Sequence, residues 1–242
     1  MRAYLDSNIL ISIEEGEIKI IELTGMFSTE TQFVYSYAHI QELLEASDLE
    51  SLIPRRTQTL KNVTNNFYEY PDGFTIEFKN QDPNSVIKFY QNLKVLNYQL
   101  RSTVQSFDIE RDSLLNKLGI SKIEMNNIHP DEVVSQLNEI LDKQFIPNFQ
   151  TMIEMSGTSK REQIVSIFNF LDFLGYWTDK PNNKSKMARI YDASHTYFSS
   201  ACDFFISNDK RARNKAKVAF HMLNIQTKVL SLKELLELKA RE

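Results

Sequence analysis

The sequence predicts an α/β protein in which helices flank a parallel β-sheet and a large, mainly helical insertion interrupts the fold. Short apolar runs that suit buried strands occur near both ends of the chain, at Ala3–Leu5 and Phe204–Ile206. Helical patterns follow these runs, and strands that alternate with helices are typical of parallel βαβ units. Helical periodicity prevails in residues 49–186, so we expect a core made of residues 1–48 and 187–242.

The composition is that of an ordinary globular protein. Of the 242 residues, 42% are hydrophobic and 25% are charged. No run approaches eighteen apolar residues, and no basic stretch followed by an apolar one opens the chain, so we expect a cytoplasmic protein without a membrane span. The single Cys202 excludes a disulfide within the chain and a cysteine-based zinc cluster.

Charge is distributed unevenly along the chain. From Lys180 to Lys228 there are ten basic and three acidic residues, a surplus of seven positive charges. Because the whole chain has a net charge of −4, the remainder carries −11. A positive region favours a polyanionic substrate bound through its phosphates, and a solvated helix surface remains the alternative.

The first strand, Ala3–Leu5, ends on Asp6, and Ser7 and Asn8 follow as helix-capping residues. Ligands of open parallel α/β sheets bind beyond the carboxyl ends of the strands. Asp6 is therefore a candidate ligand-binding acid, although an Asp at this junction also serves as a helix cap.

The second strand, Phe33–Tyr35, leads through Ser36 into an amphipathic helix. Glu42 lies beside the apolar stripe of this helix. It is a second candidate acid, and a surface glutamate is the alternative interpretation.

The predicted insertion contains three long helical patterns, which are Pro83–Leu118, a helix that starts near Pro130, and Ser159–Trp177. One part differs, because Asn62–Phe78 contains Pro-Asp-Gly between aromatic runs and predicts a small hairpin.

Residues 190–209 predict a helix, a turn and a strand. With a helix from about Asp192 to Cys202, and the strand returning the same distance, Asp192 and Asp209 reach the same edge of the sheet. Asp203 then lies at the opposite edge and is an uncertain member of the site.

A basic helix follows Asp209, and its first residues Lys210, Arg211 and Arg213 could bind a nucleic-acid backbone. The chain continues with a predicted strand at Thr227–Leu230 and a last helix.

Four acids thus occupy strand-end or neighbouring positions: Asp6, Glu42, Asp192 and Asp209. Clustered carboxylates repel one another unless a cation neutralises them. Mg²⁺ or Mn²⁺ is the expected ion because both take hard oxygen ligands. Such a site can polarise a phosphodiester and generate a hydroxide for in-line attack, which indicates metal-assisted nucleic-acid hydrolysis.

The same segments resemble the PIN-domain nucleases, the family named after the N-terminal domain of PilT. The matching pieces are LDSN, YAHIQELLE, YDASHTYFSSACD and FFISND, in that order. The resemblance implies a Rossmann-like parallel sheet, divalent-metal-dependent cleavage and, most often, RNA as substrate. It assigns the four acids of the family to Asp6, Glu42, Asp192 and Asp209, as catalytic and metal-binding residues.

Further polar residues could support catalysis or bind substrate. His195 lies one turn after Asp192 and could approach a phosphate or orient a carboxylate, or it could pack in the core. Four other residues could bind metal-bound water or phosphate, or could serve only in helix capping and turn formation: Ser7, Asn8, Ser207 and Asn208.

Two other functions and some further partners remain open. A haloacid-dehalogenase-type phosphatase also has an Asp after its first strand, but it needs a second Asp where this chain has Asn8. A catalytically inactive PIN-like module could bind RNA or protein. DNA is a possible substrate, and the helical insertion could bind a neutralising partner or form a homodimer.

Overall fold

A computed structural model describes residues 1–72, 75–91, 122–143, 147–177 and 183–239. Its six strands are β1 (Arg2–Leu5), β2 (Gln32–Ser36), β3 (Phe67–Asp72), β4 (Thr75–Asn80), β5 (Phe204–Ile206) and β6 (Lys228–Leu230). The described helices of the first part of the chain are α1 (Ser7–Glu14), α2 (Ile20–Thr24), α3 (Tyr37–Leu44), α4 (Leu49–Thr64) and α5 (Pro83–Gln91). Those of the second part are α6 (Lys122–Asn127), α7 (Pro130–Lys143), α8 (Phe149–Ser156), α9 (Lys160–Leu174), α10 (Asn183–Ser199), α11 (Lys210–Met222) and α12 (Leu232–Lys239).

The strands form one sheet in the order β4-β3-β2-β1-β5-β6. Every neighbouring pair is parallel except β3 and β4, which are antiparallel. The predicted α/β class with a parallel sheet flanked by helices is therefore confirmed. Among the described helices, none is long and apolar enough to cross a membrane.

One face of the sheet carries an apolar cluster of buried residues. Ala3, Leu5, Phe33, Tyr35 and Ile206 alternate with residues of the other face, as the two-residue period of a strand requires. Apolar residues of α1, α3, α4, α5 and α12 pack on them, including Ile9, Leu10, Ile40, Leu43, Leu60, Val63, Val86, Ile87 and Leu235. Each large apolar side chain that is fully buried contributes roughly 1.5–3 kcal/mol.

The hairpin predicted around Pro-Asp-Gly is present, and it extends the sheet. β3 and β4 pair from Phe67 with Asn80 to Asp72 with Thr75. β3 also pairs with β2, through Tyr35 with Tyr68 and Ser36 with Glu69. The hairpin, although it lies within residues 49–186, thus belongs to the same sheet as the two chain ends.

The chain divides into two compact units. The first contains the described parts of residues 1–95, 198–213 and 226–242, and it holds the whole sheet. The second contains the described parts of residues 96–197 and 214–225 and is helical.

The second unit contains a buried ion cluster. In α9, Asp172 accepts a hydrogen bond of 2.6 Å from Nζ of Lys215 in α11. Nε of Arg189 in α10 lies 3.6 Å from the other carboxylate oxygen of Asp172. Both side chains of the Lys215–Asp172 pair are almost fully buried, so each charge is compensated mainly by protein groups.

Most helix predictions within the described residues are confirmed. α9 begins after Ser159, whose side chain and that of Glu162 form a capping box, and ends before Gly175 in the left-handed conformation. α7 begins at Pro130. Of the pattern Pro83–Leu118, α5 accounts for the first nine residues, and the rest lies outside the described part of the chain.

One helix boundary was predicted wrongly. Asp192 was expected at the head of a helix, but α10 begins at Asn183 and Asp192 lies in its middle. Lys184, Met187 and Ala188 are residue types with high helix propensity, which favours a helix that begins before Asp192 instead of one that Asp192 caps.

Candidate functional site

The position of β1 in the sheet defines the candidate site. From β1 the chain proceeds to β2 and β3 on one side, whereas β5 and β6 lie on the other. Ligands of open α/β sheets bind at such a reversal of strand order, outside the carboxyl ends of the strands. The residues that follow β1 and β5, Asp6 and Ser207, therefore mark this location.

Hydrogen bonds from Ser7, Asn8 and Ser207 hold the carboxylate of Asp6. Its Oδ1 accepts the backbone N–H of Ser7 at 2.8 Å, which makes Asp6 the N-cap of α1. Its Oδ2 accepts the side-chain amide of Asn8 at 2.5 Å and the hydroxyl of Ser207 at 2.6 Å. Asp6 is only 6% exposed, so these bonds replace most of the water that would otherwise solvate a carboxylate.

The predicted supporting residues connect the two strand ends. The amide of Asn8 also donates to Oγ of Ser207 at 2.9 Å, and Oδ1 of Asn8 accepts the backbone N–H of Asn208 at 3.0 Å. Oγ of Ser207 accepts the backbone N–H of Asp209 at 3.1 Å. We call the side chains of Asp6, Asn8 and Ser207 the Asp6 network.

Asp209 follows the Asp6 network and caps α11. Its Oδ1 accepts the backbone N–H groups of Arg211 at 2.7 Å and Ala212 at 3.3 Å. No described residue donates a hydrogen bond to its Oδ2, and the residue is exposed. Asp6 Oδ2 and the Asp209 backbone nitrogen both contact the same hydroxyl oxygen of Ser207. Ser207 thus connects the carboxylate of Asp6 to the backbone of Asp209, although the two predicted acids lie some two hundred positions apart in the chain.

Glu42 lies on α3, the helix that follows β2, and is half-buried. The first turn of this helix is attached to β1. The hydroxyl of Tyr4 and Oγ of Ser36 share a hydrogen bond of 2.6 Å. Nε2 of His39 donates to the carbonyl oxygen of Leu5, the residue before Asp6, at 2.7 Å.

His39 was not predicted as a site residue. Its Nδ1 accepts the backbone N–H of Ser36 at 3.0 Å, so the neutral ring carries its proton on Nε2. The sequence signal was the spacing of Ser36 and His39, which matches a capping box in which His replaces the usual Glu or Gln.

Asp192 and His195 belong to the second unit. Asp192 is half-buried in the middle of α10, and His195 is buried one turn later. Their assignment to the site with Asp6 stays a prediction.

Asp203 lies at the other edge of the sheet, as strand direction predicts. Its Oδ2 accepts the backbone N–H of Arg2 at 2.6 Å, and its own N–H donates to the carbonyl of Arg2 at 3.0 Å. Asp203 thus connects the amino ends of β1 and β5.

The three basic residues at the start of α11 differ in exposure. Lys210 and Arg211 are exposed. Arg213 is mostly buried, donates to the carbonyl oxygen of Ser207 at 2.7 Å, and lies 3.6 Å from the carboxylate of Glu234 in α12. Arg213 therefore stabilises the end of β5, while Lys210 and Arg211 lie where a polyanion can reach them.

A further acid, Glu69 on β3, was also not predicted. It is fully buried, and no described residue forms a hydrogen bond with either carboxylate oxygen. Burial raises the pKa of Glu69 well above its usual value, and the Arg2 charge opposes this only in part. Burial first, and the Glu69 charge second, also raise the pKa values of Tyr4 and Cys202.

The carboxylate oxygens of Asp6 and Asp209 suit a hard divalent cation, but the number of metal-binding side chains grouped together in the described part of the chain is small. Within residues 1–72, 75–91, 122–143, 147–177 and 183–239, no group of three or more His, Cys, Asp or Glu side chains is arranged to hold a metal ion. Mg²⁺, however, keeps several waters and commonly binds through one or two carboxylates. Asp6 and Asp209, at the reversal of strand order, provide two.

Comparison of the chain with protein-family models, with curated proteins and with solved structures gave no match.

Proposed function

We propose that this protein is a divalent-metal-dependent nuclease, an endoribonuclease of the PIN type. The observation that carries the proposal is the meeting of Asp6 and the Asp209 segment at the carboxyl ends of β1 and β5. The proposal is supported by the strand order, because open α/β sheets bind their ligands at such a reversal, next to the ends of β1 and β5. The resemblance of four segments to the PIN family supports the same activity.

Asp6 and Asp209 would hold Mg²⁺ or Mn²⁺, with Glu42 and Asp192 as further predicted ligands. When bound, the ion would polarise the phosphodiester and activate water for attack at phosphorus. Asn8 and Ser207 fix the orientation of the Asp6 carboxylate, because both donate to the same oxygen. The carboxylate is thus positioned before any ion arrives.

RNA is the proposed substrate for two reasons. The surplus of positive charge between Lys180 and Lys228 favours a phosphate backbone, and exposed Lys210 and Arg211 directly follow Asp209. RNA is also the usual substrate of the family that the sequence resembles.

A second candidate function is a catalytically inactive RNA-binding or protein-interaction module. It is favoured by the finding that the described residues provide no group of three metal-binding side chains. Such a module would bind RNA and leave it intact.

The test uses Asp209→Asn, because Asn caps helices about as well as Asp and the change removes the charge alone. Its matched control is Asp48→Asn, since Asp48 is an exposed N-cap of α4 and is not one of the predicted site residues. The wild-type protein and both variants are incubated with mixed cellular RNA in Mg²⁺ or Mn²⁺, and Mn²⁺ binding is measured by calorimetry.

We expect the wild type and Asp48→Asn to cleave RNA and bind Mn²⁺, and Asp209→Asn to lose cleavage and bind Mn²⁺ more weakly. Cleavage that survives in Asp209→Asn contradicts the assigned site. A wild-type protein that binds RNA without cutting it, and binds no Mn²⁺, supports the inactive module instead.

A further inference from the structure

The antiparallel β4 brings the end of α5 to the edge of the sheet that holds the candidate site. β4 runs opposite to the other strands and therefore ends at their amino edge. α5 returns from there over nine residues, roughly 13 Å at 1.5 Å per residue. Its last turn reaches Tyr37, the first residue of α3 after β2, because the rings of Tyr90 and Tyr37 stack 4.0 Å apart.

This last turn of α5 combines aromatic rings with a positive charge. Lys88, Phe89 and Tyr90 follow one another in the chain. Phe89 is 61% exposed, and its ring meets that of Tyr90 edge to face, with centroids 5.1 Å apart. Lys88 is exposed and forms no ion pair with any described residue. We call Tyr37, Lys88, Phe89 and Tyr90 the aromatic edge.

The rings behind Phe89 are fixed by the sheet. Tyr68 on β3 packs against Tyr35 of β2, with ring centroids 4.9 Å apart, and its ring also stacks with that of Tyr70. Burial first, and the hydroxyl of Tyr90 second, raise the pKa of Tyr68 above its usual value. Two strands thus support the stack while Phe89 remains accessible.

The aromatic edge is continuous with the candidate site through α3. Tyr37 lies between Ser36, which bonds to Tyr4, and the first-turn residue His39, which bonds to Leu5. Leu5 directly precedes Asp6. The aromatic edge is therefore connected through the first turn of α3 to the strand end that precedes Asp6, the acid proposed above as catalytic.

We propose that the aromatic edge is a substrate subsite for an unpaired nucleotide, in which the base stacks on Phe89 and a neighbouring phosphate pairs with Lys88. An aromatic ring beside a basic side chain is the combination that binds single-stranded nucleic acid, because every base has a stacking face and every nucleotide a negative charge. A base within a duplex is already stacked on both sides and is not available to Phe89. This inference rests on the proposed function and adds to it a binding site for an unpaired base on α5, outside the carboxylate cluster.

Binding is measured with the full chain in a chelator, so that no cleavage occurs. The probes are a fluorescent single-stranded oligoadenylate, an abasic strand of the same length, and the oligoadenylate paired with its complement. Phe89→Ala removes the ring, and Lys88→Ala removes the charge. Ile21→Ala is the matched control, because Ile21 is an apolar helix residue with 76% exposure that lies outside the aromatic edge.

We expect the wild type and Ile21→Ala to prefer the oligoadenylate over the abasic strand and over the duplex. Phe89→Ala should weaken oligoadenylate binding at least about five-fold and abolish the preference over the abasic strand, since stacking on one ring is lost. Lys88→Ala should weaken binding of both single strands and lower the dependence of affinity on salt concentration.

Equal binding of the base-containing and abasic strands by the wild type overturns the subsite, and so does an unchanged preference in Phe89→Ala. If RNA is cleaved in Mg²⁺ but Phe89→Ala binds like the wild type, the subsite fails while the nuclease function stands. If Phe89→Ala loses binding but no metal supports cleavage, the subsite stands and the nuclease function fails. Capture of a protein partner that Phe89→Ala does not bind, without RNA binding by the wild type, also overturns the subsite.

Discussion

Replacement of Glu69 by Gln should make the protein more stable at neutral pH. The Glu69 side chain is fully buried on β3, and among the described residues none donates a hydrogen bond to its oxygens. Gln has the same shape and no charge. The variant therefore isolates the cost of keeping an ionisable group in this position.

The direction and size of the expected change in the free energy of unfolding follow from the linkage between proton binding and folding. In the folded protein, burial raises the pKa of Glu69 well above 4.5, so the folded state retains a proton that the unfolded chain releases. Stability is then complete below about pH 4.5 and falls as pH rises toward the folded-state pKa. Within that window the loss approaches about 1.4 kcal/mol for each pH unit. Glu69→Gln lacks this loss.

The assay is urea unfolding followed by circular dichroism between about pH 5 and pH 8. The control is Glu77→Gln, because Glu77 is exposed on the neighbouring β4. We expect the free energies of unfolding of the wild type and Glu69→Gln to be similar at pH 5 and to diverge as pH rises, with the variant more stable. Parallel pH profiles of the two proteins would refute the reasoning, and so would an equal effect of Glu77→Gln.

Two other substitutions test structural roles by urea unfolding. Asp6→Asn replaces one carboxylate oxygen by an amide nitrogen, so at least one of the donors from Ser7, Asn8 and Ser207 loses its acceptor. The free energy of unfolding should fall by about 2–4 kcal/mol, and an unchanged value would contradict the Asp6 network. Asp172→Asn leaves the ammonium of Lys215 buried without its counter-charge and should cost about 3–5 kcal/mol. The double variant Asp172→Asn with Lys215→Met should recover most of that loss, and failure to recover would show that the ion pair is not the cause.

The strands of the sheet could be predicted because their signals are local. Phe204–Ile206 is an apolar run between polar residues, and its predicted limits coincide with β5. Ala3–Leu5 lies within β1 and predicts the position of Asp6 at a strand end. The pairing of β3 with β2 was not predictable, since a hairpin signal fixes the turn and not the neighbouring strand.

The site was predicted in part. Asp6, Ser207 and Asp209 meet because strand direction decides which residues share an edge. Glu69 was missed because a glutamate within a strand normally faces water, and buried carboxylates are normally paired. His39 was missed because its role depends on the carbonyl of Leu5, a partner 34 positions away that no local pattern reveals.

The central location of β1 has a consequence for biosynthesis. One neighbour, β2, emerges soon after it, but the other, β5, comes some two hundred residues later. At roughly 5–20 residues per second, translation leaves one side of β1 without its partner for roughly 10–40 s. During that interval the backbone groups of β1 that later pair with β5 are open to wrong partners. We therefore expect ribosome-bound intermediates to need chaperones, and we expect the Asp6 network to form only after the Ser207 segment has left the ribosome.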